Sequence, residues 1–302
     1  MKKPTVCGVL PILMQISNEN LKSTMDYVFF SENLKRYYPK VFNELTEILS
    51  KHDVHYGILK RTADYWCRDY MPIQVDSNSF ILFKYHPDYL EGLRDYETST
   101  ESSMGLAKTL LPNSSIYVSS IVADGGNFTF TSINKGRECT PIVVMTEKIF
   151  IENPDIDRKD LVSQLEKLFP NHKFLFLPWD RCDVCGHTDG ILHGVGSNKV
   201  LVNLKIYPED IAAKMRSQLE SYFKVIDLEL SYYHHMSWAY INMIHTQNVI
   251  IVPGVGCSTD EEALKHIKKL FPEYEGRIYQ VQMQSIVRRG GALNCLSWTP
   301  TI

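Results

Sequence analysis

Several stretches of the chain carry residue types able to do chemistry. Gly186-His187-Thr188-Asp189-Gly190 sets an imidazole and a carboxylate two residues apart between two glycines. In an extended segment, residues i and i+2 point to the same side. His187 and Asp189 can therefore face one space, where they would hold a cation and move a proton. Taken alone, the stretch reads as readily as a surface turn with a polar pair. Cys295 follows Gly290, Gly291 and Asn294. A cysteine is usually a buried core residue; it becomes a nucleophile when a positive group or the local field stabilises its thiolate. Asp69 stands in the charged, aromatic segment Arg61–Pro72, and Asp124 opens Asp124-Gly125-Gly126-Asn127.

The carboxylates indicate what such a thiol would attack. A Cys-His pair acting on an amide needs donors for an oxyanion. Asp69, Asp124 and Asp189 would repel one. They would instead hold a planar cation with several N–H donors, which is a guanidinium. A thiolate can attack its carbon while the departing amino groups carry the charge, with His187 as acid and base because imidazole titrates near neutrality. Cys182, Cys185 and His187 resemble half of a zinc site, but no second Cys-x-x-Cys completes it, and no metal is expected. A redox dithiol at Cys182 and Cys185 lacks its usual context. Trp66 and Trp179 are of a type more often found in cores than in ligand walls. Their neighbours Arg68-Asp69 and Asp180 favour a pocket. His234 and His235 read as readily as surface, and Lys268-Lys269 as a solvated helix face.

The elements that must position these groups recur. Pro39 opens a helix with Val41, Leu45 and Ile48 on one face. Helical faces return at Met104/Ala107/Leu111, Leu161/Leu165/Leu168, Ile211/Met215/Leu219/Tyr222 and Ala263/Ile267/Leu270. Each is followed by a strand and then by a glycine- or acid-rich segment, at a spacing of about 50 to 60 residues. Two copies share spelling, LEKLFP at Leu165–Pro170 and IKKLFP at Ile267–Pro272. A regular α/β repeat of this length favours one closed ring over two domains. Doubly wound α/β is the rival, but its phosphate-binding glycine fingerprint is absent. If the units close radially, Asp69, Asp124, His187, Asp189 and Cys295 converge. Thr5–Ile16 reads as a first strand. Residues 18–38 and 85–102, aromatic and polar without a clean period, read as candidate lids.

Composition narrows the class. The 302 residues are 44% apolar and 22% charged, ordinary for a globular protein with a sizeable core. A net charge of -3 gives no global argument for nucleic acid or lipid headgroups as partners. The run Val6–Met14 is short and contains Pro11, so it reads as a strand rather than a signal peptide. No run reaches the roughly 18 to 20 apolar residues of a membrane span. Seven scattered cysteines do not look like a disulfide framework, which makes a reducing cytoplasm the default.

Trp66-x-Arg68-Asp69-x-x-Pro72, Gly125-Gly126-Asn127, Gly186-His187-Thr188-Asp189 and Gly290-Gly291-x-x-x-Cys295 occur in order across most of the chain. Together they resemble the agmatine deiminase and bacterial peptidylarginine deiminase family of guanidino-modifying enzymes. The resemblance implies a single catalytic domain over 1–302, a five-bladed α/β propeller (the pentein fold) with pseudo-fivefold symmetry. It implies Cys295 as nucleophile, His187 as acid and base, and Asp69 and Asp189 on the guanidinium. Trp66, Arg68, Asp124, Asn127, Trp179, Asp180 and Asn242 are the expected substrate-binding residues. No cofactor is expected, the partner is a small guanidino substrate, and a homodimer is compatible with the family. An agmatine-like substrate would place the protein in putrescine and polyamine metabolism. The chain departs from the family in two places. It has Asp124 where the family usually has glutamate, and Asn294 where agmatine deiminases usually carry histidine. The Leu-Asn-Cys ending is closer to the Leu-Thr-Cys of dimethylarginine hydrolases. These departures leave the choice among agmatine, arginine, methylarginine and peptidylarginine open.

Overall fold

The structure is a computed structural model that describes residues 25–302. The expected strand at Thr5–Ile16 lies outside the described residues. The chain begins with β1 (Tyr27–Ser31), α1 (Glu32–Tyr37), α2 (Pro39–Lys51) and β2 (His55–Leu59). Next come a short helix α3 (Cys67–Tyr70), β3 (Ile73–Gln74), β4 (Ser79–Lys84), α4 (Thr100–Leu110) and β5 (Ser115–Val122). The third group is β6 (Thr129–Lys135), β7 (Glu138–Thr146), α5 (Lys148–Glu152), α6 (Arg158–Leu168) and β8 (Lys173–Leu177). The fourth is β9 (Leu192–Gly194), β10 (Lys199–Val202), α7 (Glu209–Glu220) and β11 (Lys224–Asp227). The last elements are β12 (Ile244–His245), β13 (Ile250–Gly254), α8 (Asp260–Leu270), β14 (Ile278–Gln282), α9 (Gln284–Val287) and β15 (Ser297–Trp298).

These strands form five three-stranded sheets among the described residues. In each, the middle strand pairs antiparallel with the strand before it and parallel with the strand that follows a helix. The fifth sheet has the same pattern but is split in sequence, because β15 pairs antiparallel with β1, which pairs parallel with β2. Residues from the two ends of the described chain therefore complete one unit.

The local causes are visible in the sequence. In α2, Val41, Leu45, Ile48 and Leu49 are buried while Lys40, Glu44, Glu47 and Lys51 face solvent, the pattern of a helix covering a core on one side. Asp157 caps α6 by accepting the Lys159 N–H at 2.8 Å. Middle strands such as β13 and the second half of β7 are buried on both faces. They accordingly read as continuous apolar runs.

β1 corrects the expectation of a lid at 18–38 for the part of it that is described. Its aromatics pack in the core: Phe29 against Trp298 with centroids 5.2 Å apart, and Phe30 edge-on to Phe42 at 6.1 Å. A five-residue strand buried on both faces shows no alternation, so its period could not be read. No helix among the described residues is long and apolar enough to cross a membrane.

Trp298 closes the split sheet. It is 3% exposed, and its indole N–H donates to the Pro72 carbonyl at 2.8 Å. Trp298→Ala should cost about 3–5 kcal/mol from the lost burial and the cavity left behind. Urea unfolding measures this; a loss under about 1 kcal/mol would mean that the closure is not a stability determinant.

Candidate active site

A tight turn precedes the first strand of every sheet, and these turns meet. They are α3 before β3, the 3-10 turns Gly125–Asn127 before β6, Thr188–Gly190 before β9 and Ser237–Ile241 before β12, and the turn at Asn294 and Cys295 before β15. Asp69 Oδ1 accepts the Gly126 N–H at 2.9 Å and lies 3.7 Å from His187 Nδ1. His187 Nε2 is 3.0 Å from Asp124 Oδ2. Each ring nitrogen of His187 thus faces a carboxylate. Asp189 Oδ2 accepts from Asn294 Nδ2 at 2.7 Å and lies 3.6 Å from the Cys295 sulfur. Asn242 Oδ1 accepts the N–H groups of Asn294 and Cys295 at 2.9 and 3.2 Å, with the Cys295 Sγ 3.4 Å away. One amide oxygen therefore gathers the turn that carries the thiol.

Two glycines make this packing feasible. A Cβ on Gly126 would come within 2.5 Å of His187 Nδ1 and 2.8 Å of Asp69 Oδ1. Gly186 has φ +61, in the left-handed region that side chains disfavour, and a Cβ there would meet the Trp179 indole nitrogen at 2.8 Å.

The site is dry. Cys295, His187, Asp69 and Asp189 are all under 9% exposed. Burial alone would lower the His187 pKa, but Asp69 and the hydrogen-bonded Asp124 outweigh it and hold the imidazolium up to about 10. Burial pushes the Asp69 carboxyl up, opposed by His187. The Cys295 thiol is pushed well above its ordinary value by burial first, then by Asp189 and Asp69. Among the described residues, no hydrogen bond joins Cys295 to His187. The geometry therefore favours a neutral thiol beside an imidazolium that already carries its proton. Asp124 Oδ1 is buried and accepts no hydrogen bond, an arrangement that costs roughly 1–3 kcal/mol until a donor arrives.

The remaining expected residues fall elsewhere. The Trp66 ring packs on Gly291, where an added Cβ would overlap it at 2.2 Å. Arg68 donates to the Asn294 carbonyl and, at 3.0 Å, to Thr299 Oγ1. With Asp189, Asn294 and His193 it lines a cavity of about 210 Å³ whose wall includes neither Cys295 nor His187. Asn127 Oδ1 accepts the Thr146 N–H at 2.8 Å. Asp180 Oδ1 accepts the Cys182 N–H at 3.0 Å, and the Trp179 indole donates to the Asp183 carbonyl at 2.7 Å. No described bond carries Asn127, Trp179 or Asp180 to the thiol, the imidazole or the three aspartates. Cys182 and Cys185 belong to no metal-binding cluster among the described residues.

The sequence reading missed three contributors. Tyr89 donates its hydroxyl to Asp124 Oδ2 at 2.9 Å. Asn294 holds Asp189. Lys148, whose side chain is 1% exposed, lies 2.9 Å from Asp88 and 3.4 Å from Glu152. Tyr89 sits in the aromatic excursion at 85–102, which was a usable signal. A lysine carries no local sign of burial.

The fold is shared with solved deiminases. Campylobacter jejuni agmatine deiminase superposes with a TM-score of 0.70 at 15% identity, covering 95% of this chain and 99% of that one. Its Cys-to-Ser variant, solved with substrate bound, gives 0.68 at 15% identity, with the same coverage of 95% and 99%. The agmatine deiminase of Enterococcus faecalis gives 0.70 at 16% identity over 92% of this chain and 93% of that one. In sequence, a candidate agmatine deiminase of Marinomonas sp. (strain MWYL1) is 22% identical over 248 residues, 69% of this chain and 64% of that protein's length. Porphyromonas-type peptidyl-arginine deiminase is the family whose pattern matches residues 30–300. The chain belongs to that family.

Two outcomes follow from the geometry. Gly126→Ala should leave the protein folded but separate His187 from Asp69, with a loss of turnover of at least about 10²-fold; near-normal turnover would show that this contact is dispensable. Because the Cys295 thiol is held up, its alkylation by neutral iodoacetamide should keep rising with pH past 9. The cationic 2-chloroacetamidine brings its own positive charge and should react at least about tenfold faster at pH 7. A labelling profile that levels off near pH 7 would contradict the neutral-thiol assignment.

Proposed function

We propose that this protein is a hydrolytic deiminase of guanidino compounds, with Cys295 as nucleophile and His187 as acid and base. The observation that carries the reading is the placement of Asp69, Asp124 and Asp189 around one buried thiol and one imidazole. Three carboxylates suit a bound cation with N–H donors on several sides. Asp69 and Asp189 would take the guanidinium, and the unsatisfied Asp124 Oδ1 would accept a further donor. Asn242 positions the thiol through the turn that carries it. Trp66, Arg68, Asn127, Trp179 and Asp180 would then act on the shape and charge of the surroundings rather than by direct contact.

The reaction follows from the protonation states. A guanidinium bound beside Cys295 lowers the cost of a thiolate, and the thiol proton passes to solvent. The thiolate attacks the guanidinium carbon to give a tetrahedral adduct. The His187 imidazolium protonates one nitrogen, the C–N bond breaks and ammonia leaves. A thiouronium on Cys295 remains. Neutral His187 then takes a proton from water as the oxygen attacks the same carbon. The C–S bond breaks, returning the thiolate and releasing a ureido product.

We further infer that the five sheets close radially as a five-bladed propeller with pseudo-fivefold symmetry. The meeting of five turns, one per sheet, supports this. An agmatine-like small molecule is the favoured substrate, because the site is enclosed and the similar solved structures include agmatine deiminases. Peptidylarginine is the second reading, supported by the family's description. Free arginine and methylarginines follow.

The test is ammonia release from agmatine, arginine, methylarginines and arginyl peptides. The reading expects turnover of at least one of these, with a bell-shaped pH profile. Silence across the panel with folded, reduced protein would overturn it, and a transferred amidine without ammonia would indicate an amidinotransferase. Asp69→Asn and Asp189→Asn should each lower kcat/KM by about 10- to 100-fold, since a charge-assisted contact is worth roughly 1.5–3 kcal/mol.

A further inference from the structure

Residues 86–97, between β4 and α4, form a unit bonded to itself. Arg94 donates to the Pro87 carbonyl at 3.0 Å and to Glu97 at 2.6 Å, while His86 Nδ1 lies 3.1 Å from the other Glu97 oxygen. The outer side of the unit leaves Leu93 and Tyr96 exposed. Its inner side meets the candidate site. The Tyr89 hydroxyl donates to Asp124 Oδ2, the same oxygen that faces His187 Nε2. The Tyr89 ring stands edge-on to the His187 ring, with centroids 6.3 Å apart.

The second tie is Lys148. Its ammonium lies 2.9 Å from Asp88 and sits over the Tyr89 ring at 4.8 Å and the Trp179 ring at 5.6 Å. It also donates to the Val184 carbonyl at 2.6 Å. Burial would lower the Lys148 pKa, but Glu152 and then Asp88 outweigh it, so the ammonium keeps its charge. One buried cation thus pins 86–97 and the loop 179–186 together. The two ends of this clamp differ in strength. Val184 and Glu152 meet Lys148 away from water, whereas the Asp88 side chain is 54% exposed. An ion pair half in water is the weaker one. The clamp therefore releases on the Asp88 side, while Lys148 stays with Val184.

We propose that residues 86–97 are a lid latched by Lys148, and that Tyr89 is a positioning residue that holds Asp124 against His187 when the lid is shut. The role of Tyr89 in turnover rests on the deiminase reading; the lid does not. Cys295 and His187 are 6% and 8% exposed with the lid in place, so a substrate must displace it to enter. A small guanidine can be enclosed beneath the lid afterwards. An arginine within a peptide would prop it open, so the lid selects free small molecules.

The experiment uses Asp88→Ala, a change at an exposed carboxylate, and Tyr89→Phe. Two readouts need no substrate: amide hydrogen exchange of 86–97, and the rate of Cys295 alkylation by iodoacetamide at fixed pH. Asp88→Ala should raise both at least threefold with an unchanged Tm. If neither rate changes, 86–97 is not a lid. Tyr89→Phe should lower kcat about tenfold with KM within twofold; an unchanged kcat would remove its positioning role. If the wild type turns over no guanidine at all, the deiminase reading and the role of Tyr89 fall together. Exchange and alkylation still decide the lid.

Discussion

Everything in the candidate site depends on holding three carboxylates close together away from water. Burying an ionised carboxylate costs several kcal/mol even after the protein relaxes. The cost is offset locally. His187 stands between Asp69 and Asp124, the Gly126 N–H meets Asp69, and Asn294 meets Asp189. Arg68 adds a positive charge on the side of Asp189. Asp124 Oδ1 remains without a donor. On the proposed reading a guanidinium completes this set, so the affinity for substrate and the strain of the free site have one origin. The same negative field keeps the thiol protonated until a cation arrives, which ties nucleophile formation to substrate binding.

The topology makes such a cluster affordable. Each sheet delivers one short turn, and the middle strands behind the turns are buried on both faces, so the turns have rigid supports. Asn242 and Cys295 are 53 residues apart in sequence, yet one amide oxygen joins them. Asp69 and Gly126 are 57 apart and joined by one N–H. The split sheet matters as much, because β15 brings Cys295 against elements from the other end of the described chain. Loss of its pairing with β1 would free the nucleophile from its neighbours.

Much of this was legible in the sequence, for physical reasons. Helix faces such as Val41, Leu45 and Ile48 carry a 3.6-residue period, and the repeat exposes the order helix, strand, polar segment. Asp69, Asp124, His187, Asp189 and Cys295 were readable because their types make sense only around a cation. Other features left no local trace. β1 is buried on both faces and lacks a period. Arg68 adjoins Asp69, but neighbours on a helix are about 100° apart, so the two side chains diverge. Asn127 and Asp180 are short polar residues at turns, and such residues commonly bond to nearby backbone. Lys148 looks like any solvated lysine until Asp88, Glu152 and Val184 are placed around it.

The most direct measurement is intact mass spectrometry of protein quenched with acid during turnover of whichever guanidine releases ammonia. The account predicts an added mass equal to the substrate less ammonia, located on the Cys295 peptide and absent from Cys295→Ser. Its occupancy should rise in His187→Ala if any adduct forms there, because the water-activating base is gone. Ammonia release with an adduct on another residue, or full turnover by Cys295→Ser, would contradict the account.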